Sequence, residues 1–262
     1  GVTLNLESEH EAGRALAIGE RLGVAPQMAI RVNPDFELRG SGMKMGGGAK
    51  PFGVDAERVP ALARAIIAAG AQWRGLHVYA GSQALDAAAV IEAQAATLGL
   101  AARLTREIGA PLPHLNMGGG FGIPYFATDL PLDVEAVGEA LAGEFARLPG
   151  ELAETEFAIE LGRWLVGEAG VYLTRIVDRK ESQGATFLVT DGGLHHQLAA
   201  SGNFGTVVRR NYPVAIASRF DAKPEEEVSV GDLVAVFCAG AYGASASPFA
   251  FLGQGPAVEM LV

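Results

Sequence analysis

The strongest constraint on how this chain can fold is a regular alternation of short apolar strands and amphipathic helices over its first 160 residues, with glycine clusters where strands end. Residues 1–8 alternate like a strand, and Ser8, followed by Glu9 and Glu11, is placed to cap a helix running to about Leu22. Residues 28–33 form a strand ended by Pro34, and 39–48 have no apolar period and read as a loop. An alanine-rich helix follows from Asp55 to about Ala69, then a strand over 73–80 ending in Gly81 and Ser82. A long helix from about Asp86 to Ile108 leads to a strand at 112–117, which runs into Gly118, Gly119, Gly120, Phe121 and Gly122. A helix over about 132–148 and a strand at 156–160 complete the series. Crossovers of this length join parallel strands, so the pattern predicts an α/β barrel or a doubly wound sheet, with five strands before residue 165.

The pattern changes near residue 165. Short β runs follow at 171–177, 185–190, 207–216, 233–237 and 258–262, with no helical period, which predicts an all-β second domain over 166–262. Composition narrows the classes further. With 49% hydrophobic and 19% charged residues the chain is not intrinsically disordered. Lysine and arginine total 20 against 30 acidic residues, giving a charge of −10, a poor balance for wrapping nucleic acid. One cysteine, Cys238, excludes an internal disulfide framework and fits a reducing compartment. No apolar run of ~18 residues and no secretory leader pattern is present, so a cytoplasmic globular protein is expected.

Three glycine clusters lie just after predicted strands, at the end of a parallel α/β domain that carries the site. Gly118 to Gly122 can offer backbone N–H groups to a phosphate, although a tight connection has the same signature. Ser82 can donate to an anion or cap a helix. Glu160, in Glu160-Leu161-Gly162-Arg163, can hold a proton on a heteroaromatic nitrogen while Arg163 binds an anion, or the two can form an ion pair. His195 and His196, if on a strand, point to opposite faces, which argues against a metal. Cys238 reads as buried filler, and Tyr242, flanked by small residues and Gly243, as an exposed ring or a domain-junction aromatic.

These residues, taken together, resemble the fold-type III pyridoxal-phosphate decarboxylases, the family of the diaminopimelate and ornithine enzymes. The motifs are Gly118-Gly-Gly-Phe-Gly-Ile-Pro-Tyr125, Glu160-x-Gly-Arg163, His77-x-Tyr-x-Gly-Ser-Gln83 and Gly240-Ala-Tyr-Gly243, in the family's order. The stretch from Asp191 to Pro213 further resembles a subgroup associated with exosortase and exopolysaccharide clusters. The resemblance implies a TIM barrel followed by a β domain, with the visible strands matching the family's fourth to eighth. It implies pyridoxal 5'-phosphate as cofactor and decarboxylation of an amino acid or amino-acid-derived, possibly carrier-linked, substrate through an external aldimine. It also implies a cytoplasmic homodimer with shared active sites. Carried over residue by residue, Gly118, Gly119, Gly120, Ser82, Gly162 and Arg163 would hold the phosphate. Glu160 would face the protonated ring nitrogen, and His77, Tyr79 and Tyr242 would complete the cofactor site.

The chain also departs from the family. Tyr79 stands where a ring-stacking histidine is usual, and Leu161 replaces a proline. The substrate-binding arginine of the diaminopimelate enzymes is missing from 197–201, which argues against that substrate. None of the four lysines (Lys44, Lys50, Lys180, Lys223) sits in the family's Schiff-base context, and the cysteine loop that supplies an acid is cut short before Gly231. A barrel needs eight strands, so the expectation is that these residues are part of a longer enzyme. A catalytically silent binding relative and a racemase are the alternatives, the latter disfavoured by the glycine motif and Glu160.

Overall fold

The computed structural model describes residues 1–198, 212–219 and 228–262. Contacts divide the chain into two units, residues 1–122 with 131–161, and residues 123–130 with 162–262.

In the first unit, β1 (Thr3–Leu6), β2 (Gln27–Asn33), β5 (Gln72–Val78), β7 (His114–Gly119) and β8 (Glu156–Glu160) pair in parallel in the order β1-β2-β5-β7-β8. Helices α1 (Glu9–Leu22), α2 (Val59–Ala68), α3 (Ala87–Ile108) and α4 (Val134–Phe145) fall between them. The local signals for helix starts hold: Ser8 accepts from the Glu11 N–H at 3.1 Å, Asp86 from that of Ala88 at 2.9 Å and Asp133 from that of Ala136 at 3.0 Å. Such caps contribute about 1 kcal/mol each. Met28, Ile30 and Val32 of β2, Leu76 and Val78 of β5 and Leu115 of β7 are buried with Val59, Ala63 and Ile66 of α2 and Leu98, Ala101 and Leu104 of α3. The sheet fades at its rims, where Leu4 on β1 is 43% and Ile159 on β8 42% exposed. Among the described residues no pairing joins β8 to β1.

Three expectations are corrected here. Asp55 is not helical: Val54–Asp55 form a short strand, β4, paired in parallel with the last two residues of β2, and Asp55 Oδ1 accepts from Asn33 Nδ2 at 2.9 Å. The helix starts only at Val59 because Pro60 occupies its first turn. Within the expected loop at 39–48, Met43–Lys44 (β3) pairs antiparallel with Gly81–Ser82 (β6). Lys44 is therefore on a strand, and the glycine turn after β5 is held by a second backbone segment. Finally, α3 is 22 residues long and is, among the described residues, the one helix long and apolar enough to cross a membrane by length and composition; half of its most apolar stretch is buried.

In the second unit, β9 (Tyr172–Ser182), β10 (Ala185–Thr190), β11 (Val214–Ile216) and β12 (Leu233–Val236) form an antiparallel sheet in the order β10-β9-β12-β11. Gln183 and Gly184 connect β9 to β10 with φ of 50° and 80°, the two positive values of a type I′ hairpin turn. A five-residue helix, α5 (Gly162–Val166), spans the change of pattern expected near residue 165. Residues 258–262 are not a strand: their apolar side chains are exposed, because an alternating run becomes a strand only where a sheet edge accepts it. The first part of the expected 207–216 strand, with Arg209, Arg210 and Asn211, lies outside the described residues, as do residues 199–201, Lys223 and Glu225 to Glu227.

Candidate active site

Glu160 ends β8, and its carboxylate is gripped from both sides. His77 Nε2 donates to Oε2 at 3.3 Å and Asn116 Nδ2 donates to Oε1 at 2.8 Å. An ionised carboxylate only accepts, so Nε2 carries the proton, and the His77 Nδ1 atom is buried without a partner. The His77 hydrogen bond does most to hold the Glu160 carboxyl below its ordinary range, against the opposing effect of burial. Electrostatic attraction from His77, the Asn116 hydrogen bond and the charge of Arg31 add to it. The Glu160 side chain is 46% exposed, so its remaining lone pairs face outward.

Next to it lies the glycine turn at the end of β7. A Cβ on Gly118 would come 2.3 Å from the Val78 carbonyl oxygen, and one on Gly119 1.7 Å from that of Glu160. Gly120 is closed off in the same way by the Gly81 carbonyl at 2.1 Å. Glycine is required here first because three strand ends converge, which the sequence alone does not reveal. The structure also corrects the role expected for Gly118: its N–H is already bound to Asn116 Oδ1 at 2.9 Å, so it is not a free phosphate donor. Tyr79 borders the turn, its ring 3.1 Å from where a Gly118 Cβ would sit. Ser82 follows Gly81 on β6. The C-terminal strand ends thus bring together His77, Tyr79, Ser82, Gly118, Gly119, Gly120 and Glu160.

Asn116 and Arg31 are site residues that the sequence expectations omit. Both are polar side chains set directly between apolar neighbours, Arg31 between Ile30 and Val32 and Asn116 between Leu115 and Met117, a signal that polar partners wait nearby. The Arg31 guanidinium pairs with Glu7 at 2.6 Å and lies 5.0 Å from the Phe52 ring and 5.9 Å from the Tyr79 ring.

The remaining expected residues belong to the second unit. Gly162 opens α5, and Arg163 Nη1 donates to the Tyr125 hydroxyl at 2.8 Å. The guanidinium also sits 4.7 Å from the Tyr242 ring centre and 5.4 Å from that of Tyr125. Tyr242 adopts φ +58°, a left-handed conformation uncommon for a bulky residue, and is 53% exposed. Burial pushes the Tyr125 hydroxyl up, with Arg163 opposing it. Cys238 is half-buried rather than buried, and burial, with the charge of Glu168, pushes its thiol up, away from thiolate chemistry. His195 and His196 are not on a strand: their ring centres are 4.1 Å apart rather than on opposite faces, and no group of three metal-ligating side chains occurs among the described residues.

Comparison with known proteins agrees with this geometry. Residues 2–167 match the family described as pyridoxal-dependent decarboxylase, pyridoxal binding domain. The chain is 33% identical to the L-glutamyl-[BtrI acyl-carrier protein] decarboxylase of Niallia circulans, over 97% of this chain and 66% of that protein. It is 30% identical to the diaminopimelate decarboxylase of Archaeoglobus fulgidus, over 93% of this chain and 62% of the relative. It therefore spans just under two thirds of the length of these relatives. The structure of the I148L mutant of diaminopimelate decarboxylase from Helicobacter pylori complexed with L-lysine superposes with a TM-score of 0.78 at 22% identity, covering 94% of this chain and 64% of that one, which places the parallel strands seen here in the family's fold, a TIM barrel followed by a β domain. The matched residues include every first-unit site residue named above, and the chain belongs to the pyridoxal-dependent decarboxylase family.

Proposed function

We propose that the protein of which these residues form the described part is a pyridoxal-phosphate-dependent decarboxylase acting on an amino acid or a carrier-linked amino acid. The observation that carries this reading is the Glu160 carboxylate, kept ionised and half exposed beside a glycine turn at the C-terminal ends of parallel strands. The residues fit a phosphorylated pyridine. A carboxylate with open lone pairs suits a protonated ring nitrogen, and a turn free of side chains, with the Ser82 hydroxyl nearby, suits a phosphate.

When bound, the cofactor supplies an electron sink for the pair of electrons left as carbon dioxide departs. The chain's residues provide the setting. Glu160 would hold a proton at the ring nitrogen, with His77 and Asn116 keeping its carboxylate ionised and oriented. Gly119, Gly120 and Ser82 would hold the phosphate, and Tyr79 is placed to lie against the ring. The parts assigned to Gly118, Gly162, Arg163 and Tyr242 rest on the motifs in which they stand, Gly118 serving through its bond to Asn116.

The exposed rims of the parallel sheet and the two-thirds coverage of the relatives support a barrel completed by further strands outside residues 1–165, which would also carry the reactive lysine. A carrier-linked substrate is supported by the Niallia circulans relative. The single cysteine supports a cytoplasmic setting; the homodimer and the exopolysaccharide association rest on the sequence motifs.

The test is carbon dioxide release by the full-length protein, with pyridoxal phosphate, from carboxyl-labelled amino acids supplied free and carrier-linked. Release dependent on the cofactor supports the reading. Chiral interconversion without release would mean a racemase, and no cofactor binding at all would mean a silent relative; either overturns it.

A further inference from the structure

Among the described residues, the Asn116 side chain hydrogen-bonds both the glycine turn and the Glu160 carboxylate. Its amide orientation is fixed by its neighbours. The Gly118 N–H can only donate, so it meets Oδ1 at 2.9 Å; the Glu160 carboxylate can only accept, so it meets Nδ2 at 2.8 Å. Neither end can be exchanged without losing both bonds. Resting on the decarboxylase reading above, we propose that Asn116 is a positioning residue that couples the glycine turn to the Glu160 carboxylate, so that phosphate binding and ring-nitrogen binding are set by one side chain.

The chemistry of this bridge is specific to an amide. An aspartate there keeps an acceptor for Gly118 but loses the donor to Glu160 and adds a second negative charge about 3 Å from the first. Two carboxylates that close do not both stay ionised, so the proton that should reside at the ring nitrogen is held between them. His77 binds the other oxygen of Glu160, whereas the Gly118 N–H is taken by Asn116, so among the described residues His77 does not supply the coupling. The sheet register places Gly119 directly opposite Glu160, so a shift at the turn reaches the carboxylate through both backbone and side chain.

The experiment is a double-mutant cycle in the full-length protein, read as the dissociation constant for pyridoxal phosphate by fluorescence. The variants are Asn116→Asp, Glu160→Gln and the double variant. Asn116→Asp is expected to weaken the cofactor on the order of 10- to 100-fold at neutral pH, and the loss is expected to shrink to about threefold or less when residue 160 is neutral. Affinity for inorganic phosphate, measured by competition, is expected to stay within about threefold in Asn116→Asp, which keeps the Gly118 bond, and to fall in Asn116→Ala, which loses it.

An equal loss in both backgrounds would assign Asn116 a packing role only and overturn the proposal. If Asn116→Asp does not fold by thermal melting, Asn116→Ser takes its place. Its hydroxyl can serve Gly118 but is too short for Glu160, and an additive cycle with Glu160→Gln overturns the proposal in the same way. A wild-type protein that binds no pyridoxal phosphate defeats the decarboxylase reading itself. A wild type that binds it with an additive cycle defeats only the coupling.

Discussion

Glu160 and Arg163 stand three residues apart, yet each is held by a different kind of force. The Glu160 carboxylate is fixed by two directional hydrogen bonds, from a buried histidine and from an asparagine tied to the backbone. Among the described residues, Arg163 donates one side-chain hydrogen bond, to Tyr125, and lies against the faces of Tyr125 and Tyr242, the latter exposed. A carboxylate gripped at both oxygens has little freedom to move. A guanidinium over aromatic faces keeps its attraction while it slides, because the ring quadrupole acts over several ångströms. The first arrangement suits a group that must meet one atom of a cofactor, the second a group that must follow an anion. The same contrast separates the two sets of glycines: Gly118 to Gly120 are locked by neighbouring carbonyls, whereas a Cβ at Gly162 would meet nothing within 4 Å.

The contrast can be pressed by substitution. The largest effect is expected from Glu160→Gln, which keeps the shape but removes the charge: kcat should fall by about 100- to 1,000-fold, measured as carbon dioxide release at saturating cofactor. Retention of more than a tenth of the rate would mean that the charge of Glu160 is not what the site is built around. Next is Gly119→Ala, whose Cβ would strike the Glu160 carbonyl; a stability loss of about 3 kcal/mol is expected by denaturant unfolding, while Gly162→Ala should change stability by less than about 0.5 kcal/mol. Similar losses in the two would erase the distinction between the locked and the open turn. Tyr125→Phe, which removes only the acceptor for Arg163, should cost about 1 kcal/mol. Because the ring face remains, cofactor affinity should fall less in Tyr125→Phe than in Tyr125→Leu.

The smallest effect is on pH-dependent stability. The folded-state Glu160 carboxyl is lowered, so the unfolded chain binds its proton more readily. The stabilisation this provides is complete above the ordinary carboxylate range and is lost as pH falls through the lowered folded value. Wild type and Glu160→Gln should therefore converge in stability on acidification, and divergence would contradict the assigned direction.

Much of this contrast was legible in the sequence where the signals are local. Ser8 and Asp86 mark helix starts because a cap needs only a side chain and the next turn's N–H groups. The parallel strand series follows from crossover length. What escaped depends on contacts between distant segments. The β3–β6 pair is two residues deep and leaves no period to read. Asp55 looked helical until Pro60 moved the helix start downstream. Asn116 gave only the weak sign of an amide in an apolar strand, because its partner lies 44 residues away. The glycine cluster is legible in the sequence but its first cause is not: its residues are small because three carbonyls crowd them, and one of its N–H groups is already used.

The central claim is that Glu160 is kept ionised by its fixed neighbours. A carbon-13 NMR titration of the glutamate carboxyls in the full-length protein, with the Glu160 signal assigned by its loss in Glu160→Gln, tests this most directly. The account predicts a midpoint below the ordinary value of about 4.3 in wild type and an upward move in both His77→Ala and Asn116→Asp. A wild-type midpoint at or above the ordinary value, unmoved by either substitution, would contradict it.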